Sequence, residues 1–201
     1  KKPFIPRPET EFWVQKAIRE ELRIMNYELR ILDLFAGSGC VGIAVLTHVK
    51  SSEVVFTDSE KNSIEQIKIN LKINRIPKKR FSIIKSDVFE NLKSKILPAR
   101  QSLGAGGNHK SKRFDYIFAN PPYIAKIRKY KIQKSVLKYE PHKALFGGKD
   151  GLFYIRKFLA EAKNFLNDNG RIYMEFDYIQ KKEIKKLLFE FGYENFKFFK
   201  D

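Results

Sequence analysis

The six residues Phe114 to Ala119 form an apolar run that passes straight into Asn120-Pro121-Pro122-Tyr123. Two prolines hold the backbone rigid and bring no amide hydrogens, so the carbonyls around them stay open to a ligand. Such a notch suits a planar NH2 group. The Asn120 side chain and the Pro121 carbonyl can accept its two hydrogens, while Pro122 and the Tyr123 ring shape the pocket against its flat face. Hydrogen bonds that strengthen as positive charge builds on the nitrogen lower the barrier to alkylating it. No strong base is needed, since the proton can leave during or after transfer; alignment of the reacting atoms matters most. Asn120, Pro121 and Tyr123 are the candidate catalytic residues.

A second constellation runs from Asp33 to Gly42, with Gly37, Gly39 and Gly42 in the spacing of a dinucleotide fingerprint. That spacing alone is a weak signal and could be a tight turn without a ligand. Asp33 discriminates: inside the loop it would repel a pyrophosphate but welcome the amino group of a methionine-bearing cofactor, which favours S-adenosylmethionine over NAD. Asp58 follows about 20 residues beyond the glycines, where a carboxylate can accept from both ribose hydroxyls or cap the next helix. Asp87 could take a hydrogen bond from the adenine amino group, or cap a helix from Val88 onward. Phe35, Ala36, Gly37 and Gly39 of the loop, Ser59, Val88 and Asn120 complete the expected cofactor contacts.

These groups need a frame that brings them to one edge. Apolar strand candidates at 31–35, 53–57, 81–85, 114–119 and 171–176 alternate with helical stretches at 9–26, 41–49, 60–74, 151–167 and 178–191. That alternation predicts an α/β fold with a mainly parallel sheet buried on both faces. Ligands in such sheets bind beyond the carboxyl ends of the strands, where Asp58, Asp87 and Asn120 fall. Leu152, Ile155, Leu159, Ala162 and Leu166 share one helical stripe, and Ile184, Leu187, Leu188 and Phe191 another. Residues 98–113 are dense in Gly, Ser and basic side chains and read as a mobile surface loop. Both ends read as cut, with 196–201 falling inside a final strand.

The 201 residues carry 40 Lys and Arg against 23 Asp and Glu, a formal charge of +17. A field of that sign can draw in nucleic acid or the ribosome, although a Lys-, Ile-, Asn- and Phe-rich composition can arise from base bias alone. The single cysteine, Cys40, and the absence of Cys/His ligand spacing predict no disulfide and no metal. No apolar run approaches the roughly 20 residues of a membrane helix, and a cytoplasmic monomer of one domain over 1–201 is expected.

Asp33 to Gly39, Asp58 and Asn120 to Tyr123 together resemble S-adenosylmethionine-dependent methyltransferases that act on planar amino groups. Three further stretches narrow the resemblance: Ile5 to Glu11, Glu140 to Leu152, and Glu175 with Gln180. With them the chain resembles the peptide-chain release factor glutamine methyltransferase family over nearly its whole length. The resemblance implies a doubly wound, Rossmann-like class I methyltransferase fold, with a mostly parallel, seven-stranded-type sheet, helices on both faces and a truncated last strand. It implies methyl transfer from S-adenosyl-L-methionine, leaving S-adenosyl-L-homocysteine, to the side-chain nitrogen of the glutamine in a release factor's Gly-Gly-Gln motif. Asn120 and Pro121 would hold that amide, and Arg7 and Glu9 would stand at the cleft mouth. The small helical docking domain usual in the family is expected to be missing ahead of Arg7, Asp177 stands where Glu-x-Gly is commoner, and Phe35-Ala36 replaces a small pair. Asn-Pro-Pro-Tyr and the basic charge also fit an adenine-N6 methyltransferase acting on RNA or DNA. A catalytically silent module that binds nucleic acid or the ribosome is a third reading.

Overall fold

The computed structural model describes residues 7–96, 113–131 and 142–200. The expected loop at 98–113 lies outside the described residues except for Arg113, as do Ile5, Pro6, Glu140 and Pro141.

In chain order the principal elements are α1 (Pro8–Glu20), β1 (Leu29–Leu34), α2 (Cys40–His48), β2 (Ser52–Asp58), α3 (Lys61–Ile73) and β3 (Phe81–Lys85). Then come α4 (Glu90–Ile96), β4 (Phe114–Ala119), α5 (His142–Leu145), α6 (Phe153–Ala162), β5 (Leu166–Met174) and α7 (Lys181–Glu190). Short 3-10 turns link several of them, among them Leu22–Ile24 after α1 and Lys163–Phe165 after α6.

The five strands lie in the order β3-β2-β1-β4-β5, and every pairing is parallel. The chain steps outward from β1 to β2 and β3, then returns to lay β4 on the other side of β1. β1 and β4 therefore flank the point where the strand order reverses, the place where open α/β sheets bind ligands. Their register is decisive: Leu34 pairs with Ala119. The glycine loop and Asn120 thus leave the sheet side by side at the same level.

Both sheet faces are covered, which is why the strands are apolar nearly throughout. Leu29 and Ile31 enter one core with Val45 and Leu46 of α2, Ile67 and Leu71 of α3, and Ala17 and Ile18 of α1. Leu32 and Leu34 point the other way, into a core with Phe89, Ile155, Phe158, Phe165 and Ile184. The period of two along β1 thus builds both halves of the interior.

The class I methyltransferase type of fold is the one expected, with two adjustments. Among the described residues the sheet has five strands, and residues 193–200 form none. Their aromatic rings pack locally instead, Phe196 against Phe189 at 5.2 Å and Phe198 against Phe176 at 5.8 Å. The helical stripe expected to reach Leu166 stops earlier: α6 ends at Ala162, and Leu166 is already in β5, paired with Phe114. The helix that the sequence offered from Val88 onward forms over Glu90–Ile96, where Leu92 and Ile96 bury on a short, largely polar segment.

Candidate active site

The glycine loop is built by backbone constraint. Phe35, Gly37 and Gly39 all have positive φ, at 60°, 55° and 76°. A phenylalanine in the left-handed region carries a cost of about 1–2 kcal/mol that glycine avoids, so Phe35-Ala36 is more than a neutral exchange of side chains. The Phe35 ring is held edge-on against Tyr154 at 5.9 Å. Val88 is also left-handed, at 49°, and a β-branched residue is unusual there. Strain at two loops that end parallel strands is typical of sites where the fold over-determines the backbone.

Gly42 has a different task. A side chain at this position would run into the Phe56 ring and Val54, so its absence lets α2 lie directly on β2. Gly42 also donates its N–H to Asp33 Oδ2 at 2.9 Å.

The acids are held by main-chain amides. Asp58 accepts from Gly37 N at 2.9 Å with Oδ2 and from Glu60 N at 2.8 Å with Oδ1. It ties the second strand's end to the glycine loop and turns the chain toward α3, whose N-cap position is Glu60 and not Asp58. Burial raises its pKa against the lowering effect of those amides. Asp33 is 3% exposed. Burial, opposed by the Gly42 amide and reinforced by Asp58, pushes its carboxyl up to about 7. Asp87 meets Lys157 Nζ at 3.2 Å, while Ser86 Oγ, not Asp87, accepts the N–H of Asn91 at the start of α4.

Asn120 to Tyr123 are buttressed from behind by the segment after α5. Ile124 donates its N–H to Leu145 O and accepts from Gly147 N, each at 3.0 Å. Gly151, at φ 80°, presses so close to the Tyr123 carbonyl that no side chain fits. Gln180 Nε2 donates to that same carbonyl at 3.0 Å and to Asp150 O at 3.3 Å. Tyr123 OH reaches Glu175 Oε1 at 3.1 Å; burial and the neighbouring carboxylate push the phenol well above its usual range, so it keeps its proton.

These loops share one cavity of about 320 Å³ at the carboxyl edge of the sheet. Asp33, Phe35, Ala36, Gly37, Asp58, Ser59, Asp87 and Val88 line it from the glycine-loop side. Asn120, Pro121, Pro122, Tyr123 and Arg7 line it from the other. Of the residues singled out from the sequence, Gly39 and Glu9 do not line it: Gly39 packs toward Ile67 of α3, and Glu9 is exposed on the first turn of α1. Thr10 and the ion pair of Arg128 Nη1 with Asp177 Oδ2, 2.7 Å, were not singled out as site residues, yet all three line the cavity. Only their place in the fold marks them. Among the described residues no His, Cys, Asp and Glu cluster could hold a metal ion, and no helix is long and apolar enough to cross a membrane.

A sequence profile for the family described as Conserved hypothetical protein 95 matches residues 6–157, three quarters of the chain and nearly all of this cavity's lining. The chain belongs to that family. This family member is 34% identical, over 98% of its length and 63% of the relative's, to a release factor glutamine methyltransferase of Clostridium botulinum. It is 31% identical, over 98% of its length and 64% of the relative's, to one of Thermodesulfovibrio yellowstonii. The resemblance read from Asn120 to Tyr123 and the flanking motifs is thereby borne out over almost the whole chain, which spans just under two thirds of these relatives. A solved SAM-dependent methyltransferase of Agrobacterium tumefaciens superposes with a TM-score of 0.63 at 16% identity, over 94% of this chain and 51% of that one. That likeness concerns the fold.

Proposed function

We propose that this domain transfers a methyl group from S-adenosyl-L-methionine to the side-chain amide nitrogen of a glutamine, that of the Gly-Gly-Gln motif in a peptide-chain release factor. The observation that carries the reading is the common cavity: a notch lined by Asn120 and Pro121 opens opposite a glycine loop with a buried acid, Asp33, and a half-buried one, Asp58. The names of the relatives supply the protein substrate.

The donor set fits the cofactor. Asp33 is a buried carboxyl with a single main-chain donor, facing the cavity, and a cationic amino group there would favour its ionised form. Asp58 spends one lone pair of each oxygen on an amide and retains capacity for two ribose hydroxyls. When bound, S-adenosylmethionine supplies a methyl carbon activated by its sulfonium.

The chain's own residues do the rest. Asn120 Oδ1 and the Pro121 carbonyl accept the amide's two N–H bonds and aim its lone pair along the cleft. Their pull grows as the nitrogen becomes positive, so they favour the transition state over the bound substrate. Tyr123 stays protonated and uncharged beside the amide face. The surplus proton leaves to water, without a dedicated base.

The decisive experiment incubates the full-length protein with methyl-labelled cofactor and release factor. Label is expected on the glutamine and lost when that glutamine is changed to alanine. Label that persists in the alanine substrate, or that goes to RNA or DNA and not to the release factor, would overturn the reading.

A further inference from the structure

Glu175 lies just beyond β5, and its N–H donates to Ala119 O at 3.0 Å, which locks it beside the residue preceding Asn120. Its carboxylate gathers three donors. Thr10 Oγ1 donates to Oε2 at 2.6 Å, Trp13 Nε1 donates to Oε2 at 3.0 Å, and Tyr123 OH donates to Oε1 at 3.1 Å. Asn120 Nδ2 in turn donates to Thr10 Oγ1 at 3.3 Å.

The direction of these bonds is forced by hydrogen inventory. An indole nitrogen can only donate, so Oε2, which takes the Trp13 bond, acts as an acceptor. Thr10 owns one hydroxyl hydrogen and gives it to that same oxygen, leaving only lone pairs to offer Asn120. A carboxamide facing lone pairs must present its NH2 end. The reversed amide would set Asn120 Oδ1 against Thr10 Oγ1, two acceptors with no proton between them, at a threonine that is 2% exposed.

We propose that Thr10 and Glu175 are positioning residues: a one-way hydrogen-bond relay, Asn120 to Thr10 to Glu175, that fixes the Asn120 carboxamide with Oδ1 turned to the cavity as an acceptor. The inference rests on the glutamine-methylation reading for its consequence, because an amide substrate needs an acceptor at that point and a flipped Asn120 would offer a donor. It gives a task to Glu175, and it joins the start of α1 to the chemistry across the sheet.

Thr10→Val removes the hydroxyl at nearly constant shape, and Thr10→Ser keeps it. In the full-length protein, Thr10→Val is expected to lower kcat on the release factor about 10- to 100-fold, the scale of an unmade buried hydrogen bond at a reacting group. Cofactor affinity by calorimetry should stay within about threefold, and Thr10→Ser should restore most of kcat. Thr10→Ala takes the same measurement if valine disturbs the packing of α1. A second readout needs no substrate: the side-chain NH2 resonances of Asn120, assigned by their loss in Asn120→Asp, should shift in Thr10→Val and not in Thr10→Ser. Wild-type kcat in Thr10→Val, an equal loss in Thr10→Ser, or unmoved Asn120 resonances would each overturn the relay. Failure of the wild-type protein to methylate any release factor would sink the glutamine reading instead, and the NMR arm would still decide the relay.

Discussion

The two walls of the cavity are made by different means. The glycine-loop wall is main-chain architecture: Gly37 and Glu60 amides on Asp58, a Gly42 amide on Asp33, and backbone angles that few side chains tolerate. Its partners are near in sequence, 21 positions apart for Asp58 and Gly37 and 9 for Asp33 and Gly42. The Asn120 wall is a side-chain network closed over great chain distances, 110 residues from Asn120 to Thr10 and 165 from Thr10 to Glu175. A wall of amides can hold a cofactor common to many enzymes, because any sequence supplies amides. A wall of side chains specifies one substrate, because each oxygen has an assigned donor.

That contrast predicts separable failures. The largest effect is expected from Asn120→Ala on the side-chain wall: kcat should fall about 100- to 1,000-fold, as for loss of a charge-stabilising donor or acceptor. Cofactor affinity by calorimetry should fall far less, since Asn120 is one of many expected cofactor contacts; an equal loss of affinity would mean that the two walls are not independent.

Asp58→Ala on the main-chain wall should do the reverse. It strips the acceptor from Gly37 and Glu60, and the cofactor Kd is expected to rise about 10- to 100-fold. The kcat at saturating cofactor should be far less affected, a split that steady-state kinetics in both substrates can read.

Gly42→Ala tests whether the third glycine serves the ligand or the packing. Its methyl would collide with Phe56 and Val54, so a loss of about 1–3 kcal/mol in chemical unfolding is expected. A variant of unchanged stability but weakened cofactor binding would assign Gly42 to the ligand after all.

A pH dependence tests the same wall without altering its geometry. Asp33 titrates near 3.8 ordinarily and near 7 in the folded protein. The folded state therefore holds the proton that the unfolded state has lost. Its contribution to stability is fully present below 3.8 and is lost as pH rises toward 7, at up to about 1.4 kcal/mol per pH unit. In cofactor-free protein, Asp33→Asn should flatten that stretch of the stability curve. Saturating cofactor should flatten it too, by offering the carboxylate a cation.

The sheet was legible because it is written in short-range pattern. β3 and β4 fall on the expected residues and β1 and β2 within two residues of them, since apolar runs bounded by turn residues need no distant partner to be recognised, while β5 starts five residues before the expected 171–176, in a stretch too polar to read as a strand. Asp58 and Asn120 were legible for the same reason, one ending a strand and the other directly following one, and Asp33 by its place in β1 just ahead of the glycines. Thr10 was not, because a threonine in the first turn of a helix has the ordinary meaning of a cap. Nor was the fate of residues 193–200, whose alternating aromatic residues fit a strand equally well until Phe189 and Phe176 captured their rings.

By itself the sequence determined the alternation of strands and helices, the loop at Asp33 to Gly42 and the rigid notch at Asn120 to Tyr123. All three follow from the conformational limits of glycine and proline and from the burial of apolar runs, which act within a few residues. Only the tertiary structure decided that Leu34 pairs with Ala119, so that both loops open on one cavity, and that a helix from the beginning of the chain meets a carboxylate from its end. Strand order and hydrogen-bond direction are properties of groups brought together across the sheet, and no local pattern of residues encodes which distant donor a buried acceptor will meet.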